Sequence, residues 1–218
     1  MTSYLNARPI NRRLVVNGTL TLCTATHLGG TDSMSLTDQP ILRNHRGIPF
    51  IPGTTLAGLF RSHLFDALGG GSEETQDVSQ LLGCRWGKDN EEQSPLIVED
   101  ARMDGNGVVK TELRDGVKID ATTGTAEKHK KFDVELLPIG TRFWLRFELL
   151  LKGQEAEDKP VLENFLWLLQ QLESGRISLG GRTRRGFGRC KASGWTYQDI
   201  NRHPSCSGLH FPRIHSSY

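Results

Sequence analysis

The sequence predicts an α+β fold whose elements run β, α, β, β, α, β, and three observations predict it. Arg13 to Thr26 (RLVVNGTLTLCTAT) alternates apolar and polar residues and is rich in Thr and Val, as a half-buried strand requires. Leu56 to Leu64 and Val161 to Leu172 repeat apolar residues at helical spacing instead. Thr141 to Leu151 (TRFWLRFELLL) places Phe143, Leu145, Phe147 and Leu149 on one face of a further strand. With the strands expected on either side, this order is the ferredoxin-like split βαβ arrangement.

Each element has its own punctuation. The first strand ends at His27-Leu28-Gly29-Gly30. The polar segment from Thr31 to Pro52, with three prolines and Asp32 and Asp38, reads as a functional loop with a short extended piece at Pro40 to Leu42. Pro52-Gly53-Thr54-Thr55 opens the first helix and Gly69-Gly70-Gly71 closes it. The acidic stretch that follows is a surface connection with a short helix near Val78 to Leu82, and Ser94 to Met103 returns to strand chemistry. Thr111 to Lys131, made of Lys, Arg, Thr and Gly with few large apolar residues, cannot bury much surface and is expected to project. Phe132 to Leu137 is strand-like. Pro160 falls in the first turn of the second long helix, which closes near Gly175, and Arg185 to Tyr197 supplies the last strand. The chain is expected to form one domain over 1–218, with a core at about 13–198, an insertion at about 105–131 and a tail at 199–218.

Charge is neutral in total and uneven in distribution. Lys and Arg number 27 against 25 Asp and Glu, yet Glu73 to Asp104 is strongly acidic and Gly175 to Tyr218 strongly basic. Between Gly175 and Lys191 stand Arg176, Arg182, Arg184, Arg185, Arg189 and Lys191 with no carboxylate among them. The glycines of Gly180-Gly181-Arg182-Thr183-Arg184-Arg185-Gly186-Phe187-Gly188 open the backbone to close approach, so the loop suits phosphate or nucleic acid better than a solvated turn. The start of the first helix, with free N–H groups at Gly53, Thr54 and Thr55 and Arg61 further along, is a second anion site. Neither place ends in the Gly-Lys-Ser/Thr of a nucleotide-hydrolysing loop, and G-x-S-x-G, H-E-x-x-H and dinucleotide fingerprints are missing.

His27 is placed to stack on a base or meet a phosphate, or to be a strand-end histidine satisfied by backbone. Asp32 and Asp38 are ordinary loop carboxylates unless the loop lines an RNA cleft, where a carboxylate suggests metal binding or proton transfer. Cys23, Cys84, Cys190 and Cys206 are far apart, as reduced thiols would be. His203, Cys206, His210 and His215 have zinc-ligand chemistry at a spacing that fits no finger, so zinc is not expected. No apolar run reaches a membrane span and Met1 to Pro9 is no secretory signal, which places the chain in the cytoplasm with no membrane partner.

Several motifs together resemble one family. His27-Leu28-Gly29-Gly30, Asp38-Gln39-Pro40-Ile41, Ile48 to Arg61 (IPFIPGTTLAGLFR) and Leu179 to Gly188 (LGGRTRRGFG) are similar to the RAMP superfamily of CRISPR-associated proteins, above all to its Cas-seven-like backbone subunits of type III effector complexes. Agreement extends to Pro95–Asp104, Arg114–Asp120 and Phe132–Glu135. The resemblance implies an RRM-like ferredoxin core, a thumb formed by the projecting segment, and rows of such subunits along a guide RNA (crRNA) with other effector subunits. It implies guide contacts at His27, Gly29, Gly30, Gly53, Thr54, Thr55, Arg61, Arg114, Lys118, Gly180, Gly181, Arg182, Arg184, Arg185 and Gly186. It also implies cleavage of target RNA by Asp38, with Asp32 in reserve, using Mg²⁺ or another divalent cation held at Asp38. One departure is Thr54-Thr55-Leu56-Ala57-Gly58, where the family commonly has serines and a lysine. Such families also contain inactive structural subunits and subunits that process guide precursor. A free-standing single-strand RNA-binding protein of RRM-like fold is the remaining reading, and the sparse aromatics of the central strands speak against it.

Overall fold

The computed structural model describes residues 10–30, 37–71, 75–84, 93–105, 109–119 and 125–201. Its elements are β1 (Arg12–Leu22), β2 (Phe50–Ile51), α1 (Gly53–Ala67), α2 (Gln76–Leu82), β3 (Leu96–Val98), β4 (Ala101–Met103), β5 (Glu112–Ile119), β6 (Ala126–Leu136), β7 (Arg142–Leu151), α3 (Glu155–Ser174) and β8 (Cys190–Asn201). The main sheet is ordered β2-β4-β7-β1-β8, with β3 also on β7, and its pairings are antiparallel. Taking β3 and β4 as one interrupted strand, this is the ferredoxin-like order with α1 and α3 as the two crossover helices. The core lies between sheet and helices: Phe147 of β7 meets Phe60 of α1 at 5.5 Å and Phe165 of α3 at 5.9 Å between ring centroids.

The first strand ends at Leu22 rather than Thr26, and four further boundaries differ from expectation, each for a local reason. The strand expected over Ser94 to Met103 is broken, because Val98 pairs with Phe147 but Arg102 with Trp144, so one extra residue bulges out. That bulge delivers Asp100 to the start of α1, where its carboxylate accepts the Gly53 N–H at 2.8 Å. Helix α3 begins before Pro160, at Glu155. Its first turn is acidic, and the Asp158 carboxylate reaches back to the N–H groups of Lys152 (2.9 Å) and Gly153 (2.7 Å), which fixes the entry. The last strand starts at Cys190 rather than Arg185, since Thr183–Arg185 form a 3₁₀ turn and Gly186 and Gly188 take φ of 85° and 80°. The projecting segment is a β-hairpin, β5 with β6, that forms a sheet of its own.

The β1–β8 pairing carries a second bulge. Asn17 faces Thr196 and Thr19 faces Ser193, so Gly194 (φ 68°) and Trp195 oppose Gly18 alone. Trp195 lies where a Cβ on Gly18 would be, and packs toward Phe147. No helix among the described residues is long and apolar enough to cross a membrane.

Candidate nucleic-acid interface

Beyond Leu22 the chain of β1 continues as a spine that three other segments line. Thr26 exchanges backbone hydrogen bonds with Leu137 just past β6, at 3.0 and 2.8 Å. The Ala25 carbonyl accepts the Gly188 N–H and the His27 carbonyl the Gly181 N–H, both at 3.1 Å. On the loop side, Leu42 donates to Leu28 at 2.7 Å and Gly30 to Pro40 at 3.0 Å. The loop after β1, the base of the hairpin and the glycine loop therefore share one scaffold, although they are far apart in sequence.

Asp38 is exposed at this junction. One carboxylate oxygen accepts the Asp133 N–H at 3.0 Å, and the other has no partner among the described residues. Gln39 runs parallel to β6, donating its N–H to Asp133 and accepting the Glu135 N–H at its carbonyl, each at 3.0 Å. Beneath it lies Glu135, a buried carboxylate that accepts the Ile41 N–H (2.9 Å), the Thr111 hydroxyl (2.8 Å) and the Arg43 guanidinium (2.6 Å). Burial alone would raise its pKa; the hydrogen bonds from Ile41, Thr111 and Arg43, with the charge of Arg43, outweigh that and hold it below the ordinary value. His27 is half-buried, and its Nδ1 lies 3.0 Å from the Glu135 carbonyl, which can only accept. Nδ1 therefore carries the proton of this bond, and Nε2, beside Gly29, is the nitrogen left for chemistry.

The basic loop is not uniform. Arg182 turns inward: it donates to the Gln39 side-chain oxygen at 2.9 Å and lies 4.8 Å from the centroid of the Phe132 ring. Arg114 of β5 covers Phe187 at 5.4 Å. Arg184 and Arg185 are exposed and pair with no carboxylate among the described residues. Both are therefore available to meet a phosphate. Replacing both by alanine should weaken any binding of single-stranded RNA and lower the slope of log affinity against log salt by about 1.4, at roughly 0.7 per contact on a single strand. A salt titration with single-stranded RNA checks this, and an unchanged slope would place the pair off the RNA.

The other predicted residues divide. Gly29, Gly180, Gly181 and Gly186 are exposed beside the spine or on the glycine loop, and Gly30 packs its Cα against Ile41 and Leu42. The start of α1 packs against Val98 and Glu99, at the end of β3. There Thr54 and Thr55 are exposed, Gly53 already holds the Asp100 carboxylate, and Arg61 donates to the carbonyls of Leu82 and Gly83, the latter at 2.8 Å. Among the described residues no hydrogen bond joins this helix start to the spine. Lys118 belongs to β5, its side chain outside the described residues. Asp32, most of the acidic stretch after α1, and His203, Cys206, His210 and His215 also lie outside them. Sequence reading missed Gln39, Glu135 and Asp100 as site-building residues. An acid inside an otherwise apolar strand end, Val134-Glu135-Leu136, is the signal that marks Glu135.

Among the described residues no three His, Cys, Asp or Glu side chains gather into a ready-made metal cage. The lone carboxylate of Asp38 suits Mg²⁺, which keeps its waters and is commonly held through one or two carboxylates plus substrate phosphates.

Residues 19–191 match the family model described as the RAMP superfamily. The chain belongs to that superfamily. RAMP proteins similar to it include the CRISPR system Cms endoribonuclease Csm3 of Methanocaldococcus jannaschii, 26% identical over 197 residues, which covers 82% of this chain and 78% of the relative. The RAMP match runs from the end of β1 to the start of β8, and so takes in the spine, the hairpin and the glycine loop together.

Proposed function

We propose that this RAMP protein is a backbone subunit of a type III CRISPR effector complex, which holds a guide RNA and cuts the RNA paired with it. Its partners are then the guide, the target, adjacent backbone subunits and the other effector subunits. The observation that carries the reading is the placement of Asp38. A carboxylate with one free oxygen stands at the hairpin base, beside a loop that offers the unpaired Arg184 and Arg185.

The chemistry asks little of the protein. In RNA the 2′-hydroxyl is the nucleophile: its oxygen attacks the adjacent phosphorus, the P–O5′ bond breaks, and a 2′,3′-cyclic phosphate and a 5′-hydroxyl result. The attacking group loses a proton and the leaving group gains one. The Asp38 oxygen without a partner among the described residues and His27 Nε2 are two groups on this surface able to move protons, and the arginines offset charge that develops on phosphate oxygens. A divalent cation at Asp38, when bound, would supply further charge stabilisation. The hairpin, fixed at its base, can splay the paired strands so that nucleophile and leaving group come into line.

Asp38→Ala is the decisive variant. In a reconstituted complex with Mg²⁺, it should reduce target cutting by about 100-fold or more, on the scale of losing one transition-state contact, with guide content unchanged. Undiminished cutting by Asp38→Ala would leave the chain a structural, guide-holding subunit.

A further inference from the structure

We propose that Arg182 is a positioning residue for the Asp38 carboxylate, acting through Gln39 rather than by gripping the guide. This rests on Asp38 being the cleaving group, and it divides the basic loop into an inward clamp, Arg182, and outward phosphate contacts, Arg184 and Arg185.

Three observations lead there. First, Arg182 has φ of 62°, which makes it the only non-glycine residue among those described with positive φ. A side chain in that region is disfavoured and persists where its surroundings hold it. Second, what holds it is specific. The guanidinium donates to the Gln39 side-chain oxygen at 2.9 Å while it lies 4.8 Å from the Phe132 ring centroid, so hydrogen bond and stacking fix the same group. Third, Gln39 directly follows Asp38, and its N–H and carbonyl are both bonded to β6, at Asp133 and Glu135. The Asp133 N–H in turn holds the Asp38 carboxylate at 3.0 Å. Arg182 thus closes the outer side of a small frame whose inner side is β6, and Asp38 is mounted on that frame. The partner is a neutral amide, so the charge of Arg182 is not cancelled and still contributes positive potential beside Asp38.

The consequence is a link between the loop expected to feel the guide and the group expected to cut the target. Anything that moves the glycine loop moves Arg182, and with it the clamp on Gln39.

Gln39 is the place to test this, because it carries no charge for phosphate. In the full-chain protein, hydrogen–deuterium exchange of the Glu135 amide, which bonds the Gln39 carbonyl, should be about tenfold faster in Gln39→Leu and in Arg182→Leu, the loss expected for one hydrogen bond. It should keep the wild-type rate in Gln39→Glu, which retains an acceptor, and in Arg184→Leu. In the reconstituted complex, Gln39→Leu should cut target about tenfold more slowly in single-turnover assays while it retains guide within about twofold. An unchanged Glu135 amide in Gln39→Leu, or acceleration to the same extent in Arg184→Leu, overturns the clamp whether or not the complex cuts RNA. Wild-type cutting by Gln39→Leu overturns its role in positioning Asp38. If the wild-type complex fails to cut at all, the cleavage reading falls, and the exchange result alone decides whether the clamp exists.

Discussion

Alanine at Gly180 or at Gly188 is expected to lower the unfolding free energy by about 3 kcal/mol and to detach the glycine loop from the spine. Two penalties combine. Both residues have φ near the left-handed region, 79° and 80°, which costs a side-chain-bearing residue about 1–2 kcal/mol. In addition, a Cβ on Gly180 would overlap the His27 carbonyl oxygen, and one on Gly188 the Leu179 carbonyl oxygen. Those contacts are backbone, which cannot rotate aside. Gly186 is the control: its φ of 85° carries the first penalty, but nothing lies within 4 Å of its missing Cβ. Urea midpoints at constant slope should therefore place Gly186→Ala clearly above the other two in stability. Equal losses at all three positions would mean that backbone torsion, not close approach to the spine, explains the glycines.

Glu135→Ala should be comparably severe, about 2–3 kcal/mol, the scale of leaving buried donors without an acceptor. It removes the anionic partner of Arg43 and leaves the Ile41 N–H and the Thr111 hydroxyl without their acceptor. Glu135→Gln keeps an acceptor and should cost less. The pair also gives a pH signature. Because the folded protein holds the Glu135 pKa below its ordinary value, its contribution is fully present above the unfolded carboxylate range and disappears as pH falls through the folded value. Urea midpoints measured from pH 7 to about pH 3 should fall more steeply for wild type than for Glu135→Gln below about pH 4. Parallel curves would show that other carboxylates carry the acid sensitivity.

The fold was legible where one face of an element is buried and the other wet. β1, β7, α1 and the later turns of α3 announce themselves by period, and their order leaves one familiar arrangement. The hairpin was less legible as paired strands because the described side chains of β5 are exposed or half-buried on both faces, so only the lack of core-forming residues showed. Pro160 suggested a helix start, and the real start depends on Asp158 reaching back across a turn, which no periodicity encodes. Asp38 was singled out by resemblance, and its setting between Asp133 and Gln39 emerges only when β6 is laid beside the loop. The arginines of the glycine loop look alike in a string of letters. What separates Arg182 from Arg184 and Arg185 is one backbone torsion and a ring from a strand fifty residues earlier in the chain.

The bulge at Gly194 and Trp195 has a bearing on solubility. β8 runs from Cys190 to Asn201 and, among the described residues, pairs only with β1 and forms a border of the main sheet. A straight border of that length would be a template for unplanned strand addition by any extended peptide or second copy. The extra residue, with Gly194 at φ of 68°, breaks the hydrogen-bonding ladder midway and adds twist. Trp195, turned into the notch left by Gly18, anchors that break to the core. For the backbone role proposed above, such a border would resist indiscriminate sticking between neighbouring copies.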